Sequence, residues 1–189
     1  ATSNICTAQV LLANMAGLYA AWHGPDGLTR ISTRIAVLAT ALADTLTAAG
    51  LALRHDDFFD TLTVELPAGG SRTADGVLVA AAERGVNLRR VSATAVGISI
   101  DETTLPATLD LVAEAFGAGP VALPDSPATR VPPSLARTDE ILPEQVFRSH
   151  HSEHGMLRYL RRLADRDLAM DRAMIPLGSC TMKLNATSE

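Results

Sequence analysis

Between Gly117 and Pro143 the chain carries Pro120, Pro124, Pro127, Pro132 and Pro133 among Ala, Ser, Thr and Arg. Each proline removes a backbone donor and pushes the residue before it into extended conformation, so no helix or sheet interior can absorb the run. The stretch is an extended linker in its composition. Any fold must therefore be built on its two sides, and the expected division is residues 1–120, a linker over 121–145, and residues 146–189.

Residues 7–22 are almost all Ala, Leu, Val, Met and Gly, a pattern expected of a helix buried on most sides. His23-Gly24-Pro25 should stop it. Leu28, Ile31, Ile35, Leu38 and Leu42 then recur at three- and four-residue steps, which predicts an amphipathic helix to about residue 49 with Gly50 as its cap. Residues 51–54 and 61–66 read as strands, the second alternating Leu62, Val64 and Leu66 with Thr61, Thr63 and Glu65. Thr73 is placed to cap a helix that Gly85 ends. Residues 87–100 read as two short strands broken near 93–95. Thr104 is then expected to cap a further helix, with Pro106 in its first turn and Gly117 at its close. Helices beside a small sheet make an α+β or α/β layer unit, which by itself names no function.

Past the linker, a helix is expected from Met156 to about Met170. Its packing face would hold Leu157, Leu160, Leu163 and Leu168, and its solvated face Arg158, Arg161, Arg162, Asp165 and Arg166. The formal charge of −5 argues against an unspecific binder of nucleic acid or anionic membrane, which needs a basic face. No apolar run approaches the roughly 20 residues of a membrane helix. Cys6 and Cys180 form no CxxC pair, so neither a zinc site nor a disulfide scaffold is indicated. The chain lacks an initiator methionine and stops at Glu189 without a closing element, so it is expected to be a fragment of a longer one.

Four places carry candidate chemistry. His150 and His154 sit four apart with Glu153 between them, a spacing that would suit a metal on a helix. Gly155 and the missing third ligand favour instead a neutral histidine bonded to nearby backbone or stacked in a pocket. Arg89 or Arg90 could fork a carboxylate, or form a plain surface pair. Thr2, Ser3, Asn4 and Thr7 suit a helix cap before they suit an anion site. In residues 175–185, alternation puts Cys180, Met182 and Leu184 on one side and Ser179, Thr181, Lys183 and Asn185 on the other. Lys183 is the sole lysine, which invites an anion-site or Schiff-base reading against that of an ordinary turn.

Three ordered stretches resemble one family. They are Ala1-Thr2-Ser3-Asn4-Ile5-Cys6-Thr7-Ala8, then Phe147-Arg148-Ser149-His150-His151-Ser152-Glu153-His154-Gly155-Met156-Leu157-Arg158-Tyr159-Leu160, then Pro176-Leu177-Gly178-Ser179-Cys180-Thr181-Met182-Lys183-Leu184-Asn185. The run Ile98-Ser99-Ile100-Asp101-Glu102-Thr103-Thr104 is similar as well. The family is the P-protein of the glycine cleavage system. The resemblance implies an α/β fold of the aspartate-aminotransferase group of enzymes dependent on pyridoxal 5'-phosphate (PLP), in two related halves. Residues 1–120 would end the first half with its small α+β domain, and residues 146–189 would begin the second, catalytic half. It implies glycine as substrate, PLP as cofactor, a lipoylated H-protein as acceptor of the aminomethyl group, and a parent that is a homodimer or a two-subunit assembly. The location would be bacterial cytoplasm or the mitochondrial matrix, with no nucleic acid and no membrane as partner.

The family's covalent lysine lies in a His-Lys motif, and this sequence has none. That lysine is expected beyond Glu189, and the fragment alone is expected to be inactive. Ser179, Thr181, Lys183 and Asn185 are carried over as substrate-binding residues lining the site of glycine or the cofactor phosphate. The competing class is a non-catalytic interaction or scaffold module.

Overall fold

A computed structural model describes residues 8–67, 69–124 and 128–166. Its elements in order are α1 (Ala8–Ala48), β1 (Ala52–Leu53), β2 (Thr61–Glu65), α2 (Ala74–Glu83), β3 (Arg89–Ser92), β4 (Ala95–Ser99), α3 (Pro106–Ala115) and α4 (Glu153–Ala164). Two short 3-10 turns, Pro133–Leu135 and Gln145–Arg148, punctuate the chain before α4. The chain divides into two units: residues up to Leu28 with those from Asp139 onward, and Thr29–Thr138. The chain passes from one to the other within α1.

In the unit Thr29–Thr138, the strands form one antiparallel sheet in the order β1-β2-β4-β3. Alternation along β2 turns Leu62 and Val64 inward, and they lie opposite Ile98 and Val96 of β4. Leu38, Leu42 and Leu46, at four-residue steps along α1, join them, as do Val77 of α2 and Leu109, Val112 and Phe116 at α3, in one core. Helices with a small sheet are what the alternation and the helical stripe predict; the antiparallel pairing is what the structure adds.

Helix ends follow local chemistry. The Thr73 hydroxyl accepts from the Gly76 N–H at 3.1 Å, closing the start of α2 as expected. At its other end Gly85, at φ 77°, sends its N–H to the Ala82 carbonyl while Val86 reaches back to Ala81. That paired pattern needs a left-handed residue, which glycine adopts without strain. The same pairing recurs after α1 and α3. Thr73→Ala should cost about 0.5 to 2 kcal/mol in a urea titration, because the Gly76 donor loses its acceptor.

Thr104 does not cap α3. The N-cap is Leu105, without a side-chain bond, and the Thr104 hydroxyl serves Asp101 instead, donating to Oδ1 at 3.0 Å and accepting from the Asp101 N–H. Pro106 does take the first helical position. The proline-rich stretch is irregular but held: the Val121 N–H donates to Asp110 at 2.8 Å, and Arg130 pairs with Asp44 at 2.5 Å.

In the other unit, α1 does not end at residues 23–25. It continues through a break at Gly24 (φ 61°, ψ −179°), because Pro25 suits the first turn of a new helical segment. Nor is the first segment buried. Leu11, Leu12 and Met15 are 57–63% exposed, so apolar composition marks a face that this length of chain does not cover. α1 is long and apolar enough to span a bilayer by length and composition alone, contrary to the sequence expectation; half of its most apolar window is buried in the protein, as in a core helix. α4 begins at Glu153, not Met156, since the Ser152 hydroxyl accepts from the Gly155 N–H, and it ends at Ala164, ahead of the expected Met170.

Candidate functional site

Ser179, Thr181, Lys183 and Asn185, with Cys6 and Cys180, lie outside the described residues. What the structure does bring together is the other half of the motif set. The 3-10 turn, the two histidines after it and α4 meet the first segment of α1, within one unit.

Gly24 makes this approach possible. A side-chain carbon there would stand 2.6 Å from His151 Cε1 and 2.7 Å from the Phe147 carbonyl oxygen. The His151 Nδ1 lies 2.6 Å from the Trp22 carbonyl oxygen. His150 stacks on Tyr159, centroids 4.1 Å apart and planes within 9°, and the Arg162 guanidinium stands 5.2 Å from the Tyr159 ring centre. Tyr19 and His23 meet at 4.3 Å. Beside this cluster is an open cavity of about 450 Å³, walled by Asn14, Gly17 and Leu18 on one side and Phe147, Tyr159 and Leu163 on the other.

His150 is therefore stacked, one of the two roles expected of a neutral histidine here. Among the described residues no three His, Cys, Asp or Glu side chains converge as metal ligands. On α4 the expected leucine face is only partly covered. Leu157 and Leu160 are 56% and 37% exposed, Leu163 is 36% exposed beside the cavity, Met156 and Tyr159 are half-buried, and Leu168 lies outside the described residues. The arginine face is solvated as expected, with Arg161 and Asp165 paired one turn apart at 3.1 Å. Sequence reading missed Trp22, Gly24 and His151 as a set; the one signal was Gly-Pro directly after an aromatic pair.

The unit Thr29–Thr138 holds the remaining motif. Asp101 Oδ1 accepts from the Thr103 N–H and from the hydroxyls of Thr103 and Thr104 at 2.8–3.0 Å, and these bonds, Thr103's hydroxyl foremost, hold its carboxyl below the ordinary range. Arg34 fastens the turn to α1 by donating to the carbonyls of Glu102 and Thr104 at 3.2 and 2.6 Å. Arg90 pairs with Asp75 at 2.8 Å on the surface, and Arg89 lies across Gly97 of β4, where the missing side chain leaves room. That is the surface reading of the arginine pair.

A family profile described as "Glycine cleavage system P-protein" matches residues 1–116, more than half of the chain. The chain belongs to that family. Over its whole length it is 54% identical to "Glycine dehydrogenase (decarboxylating)" of Xanthomonas axonopodis pv. citri (strain 306). Proteins of the same name from Stenotrophomonas maltophilia (strain R551-3) and Rhizobium etli (strain ATCC 51251 / DSM 11541 / JCM 21823 / NBRC 15573 / CFN 42) match at 55% and 50%. In each case all of this chain aligns but covers only 19% of the relative, so it spans about a fifth of their length. The P-protein profile takes in α1, the sheet, α2 and α3. The residues 147–160 lie beyond the profile and within the stretch aligned to the relatives.

Proposed function

We propose that this chain is an internal part of a P-protein that decarboxylates glycine with PLP and passes the aminomethyl group to the lipoyl arm of H-protein. The observation that carries this reading is an identity of 50–55%, over an alignment that takes in the whole chain, to proteins named for that decarboxylation. Residues 1–120 are the end of a first half with the aspartate-aminotransferase type of fold, 121–145 the join, and 146–189 the start of the catalytic half. The parent is a homodimer or a two-subunit assembly working in bacterial cytoplasm or a mitochondrial matrix.

The described residues do not fit a covalent PLP site. They include no lysine, since the sole lysine is Lys183, and covalent attachment needs an amine. When bound in the parent, PLP supplies the electron sink for loss of CO2. No step through it is assigned to these residues. Ser179, Thr181, Lys183 and Asn185 would line the pocket, their hydroxyl, ammonium and amide groups binding the glycine carboxylate or the cofactor phosphate.

The test replaces the matching stretch of the Xanthomonas relative with this chain. The chimera should release CO2 from glycine with PLP and lipoylated H-protein, and the 189-residue chain alone should not. A folded but inactive chimera, or an active isolated chain, overturns the reading. In the chimera, Lys183→Ala should lower glycine turnover about 10- to 100-fold, the worth of one charge-assisted bond. The visible absorbance of bound PLP should persist; its loss would make Lys183 the covalent residue.

A further inference from the structure

The first helical segment of α1 ends against a backbone that cannot extend it. In a continuing helix the Trp22 carbonyl would accept from the N–H of Asp26, but Gly24 is non-helical and Pro25 follows it, so that ladder is interrupted. The last carbonyls of a helix need an outside donor or water. The one supplied here comes from 129 residues away, the His151 ring, with Nδ1 at 2.6 Å.

A carbonyl oxygen only accepts, so the ring nitrogen facing it must carry the proton. We infer that His151 is a positioning residue: its Nδ1–H caps the helical segment that ends at the Gly24 break and so pins residues 147–155 to that break. The neutral ring is then held with its proton on Nδ1, the less populated form of free histidine, and its Nε2 carries the lone pair. Gly24 is the complementary half of the joint, since any larger residue would strike the same ring. The inference stands on this geometry and does not depend on the glycine reading.

The rival explanation is that the ring fills space against Gly24 and its donor is incidental. Two substitutions separate them. His151→Asn keeps an N–H donor near the position of Nδ1 and loses bulk, whereas His151→Leu keeps bulk and loses the donor. Hydrogen exchange of residues 18–23 in the 189-residue chain is the readout, with the fluorescence of Trp22, the only tryptophan, as a second one. The Leu variant should exchange about two- to tenfold faster than wild type at these amides, and the Asn variant close to wild type. The reverse order overturns the inference. A measurement needing no variant is the nitrogen-15 histidine spectrum of the wild-type chain at alkaline pH, with the His151 ring assigned by through-bond correlation to its own backbone. A proton on Nδ1 supports the cap, and a proton on Nε2 refutes it.

Discussion

Replacing Phe116 with alanine will cost about 3 to 5 kcal/mol of folding stability, the largest loss expected of any single truncation in the unit Thr29–Thr138. Phe116 stands at the end of α3 with no exposed surface, the largest of the fully buried side chains among the described residues. Its ring fills the core among residues of α1, α2, β2 and β4. Truncation loses the transfer free energy of the ring and leaves a cavity that closely packed neighbours cannot fill. The urea midpoint should fall while the slope of the transition holds. Phe59, 43% exposed, is the control, and its alanine variant should fall well short of that loss. Equal effects at the two positions would mean the core is not organised around Phe116.

Gly24→Ala is the second large effect. The pair φ 61°, ψ −179° belongs to a region that glycine alone occupies readily, and forcing another residue into it costs about 1 to 3 kcal/mol. The added carbon would also meet His151 Cε1 and the Phe147 carbonyl at well under contact distance. Neither yields easily, because the ring is held on the Trp22 carbonyl and the other obstacle is backbone. Faster proteolysis around residues 22–26 and 147–151, with a lowered unfolding midpoint, is the expected result. Gly17→Ala makes the opposite comparison. That glycine is helical with open space where the carbon would go, so alanine there should stabilise the chain by about 0.5 to 1 kcal/mol.

The parts of the fold that were legible in the sequence are those written in local terms. The alternation of Leu62, Val64 and Leu66, the stripe Ile35, Leu38 and Leu42, the Thr73 cap and the Gly85 stop each depend on residues a few positions apart. Thr104 departs from its expected role because two local partners compete for one hydroxyl, and the two bonds it makes with Asp101 outweigh a single cap. Leu11, Leu12 and Met15 were read as buried since composition records an apolar face but not what lies against it. The candidate site was legible only as motifs. The His151 contact with Trp22 joins chain positions that no periodicity connects, and Gly24 reads as a helix stop until the histidine that needs its bare backbone is placed beside it.

The sheet carries one more consequence, at its margins. One outer strand, β1, has two residues and is followed by Arg54, His55, Asp56 and Asp57. The other, β3, presents Arg89 and Arg90 to solvent, and its register slips between Arg90 and Ser92. A strand offered by a neighbouring molecule would find almost no ladder at one margin, and charge with a broken ladder at the other. Growth of this sheet by strand addition is thereby discouraged at both ends. Edge-to-edge pairing between copies of the unit is disfavoured by the same two devices.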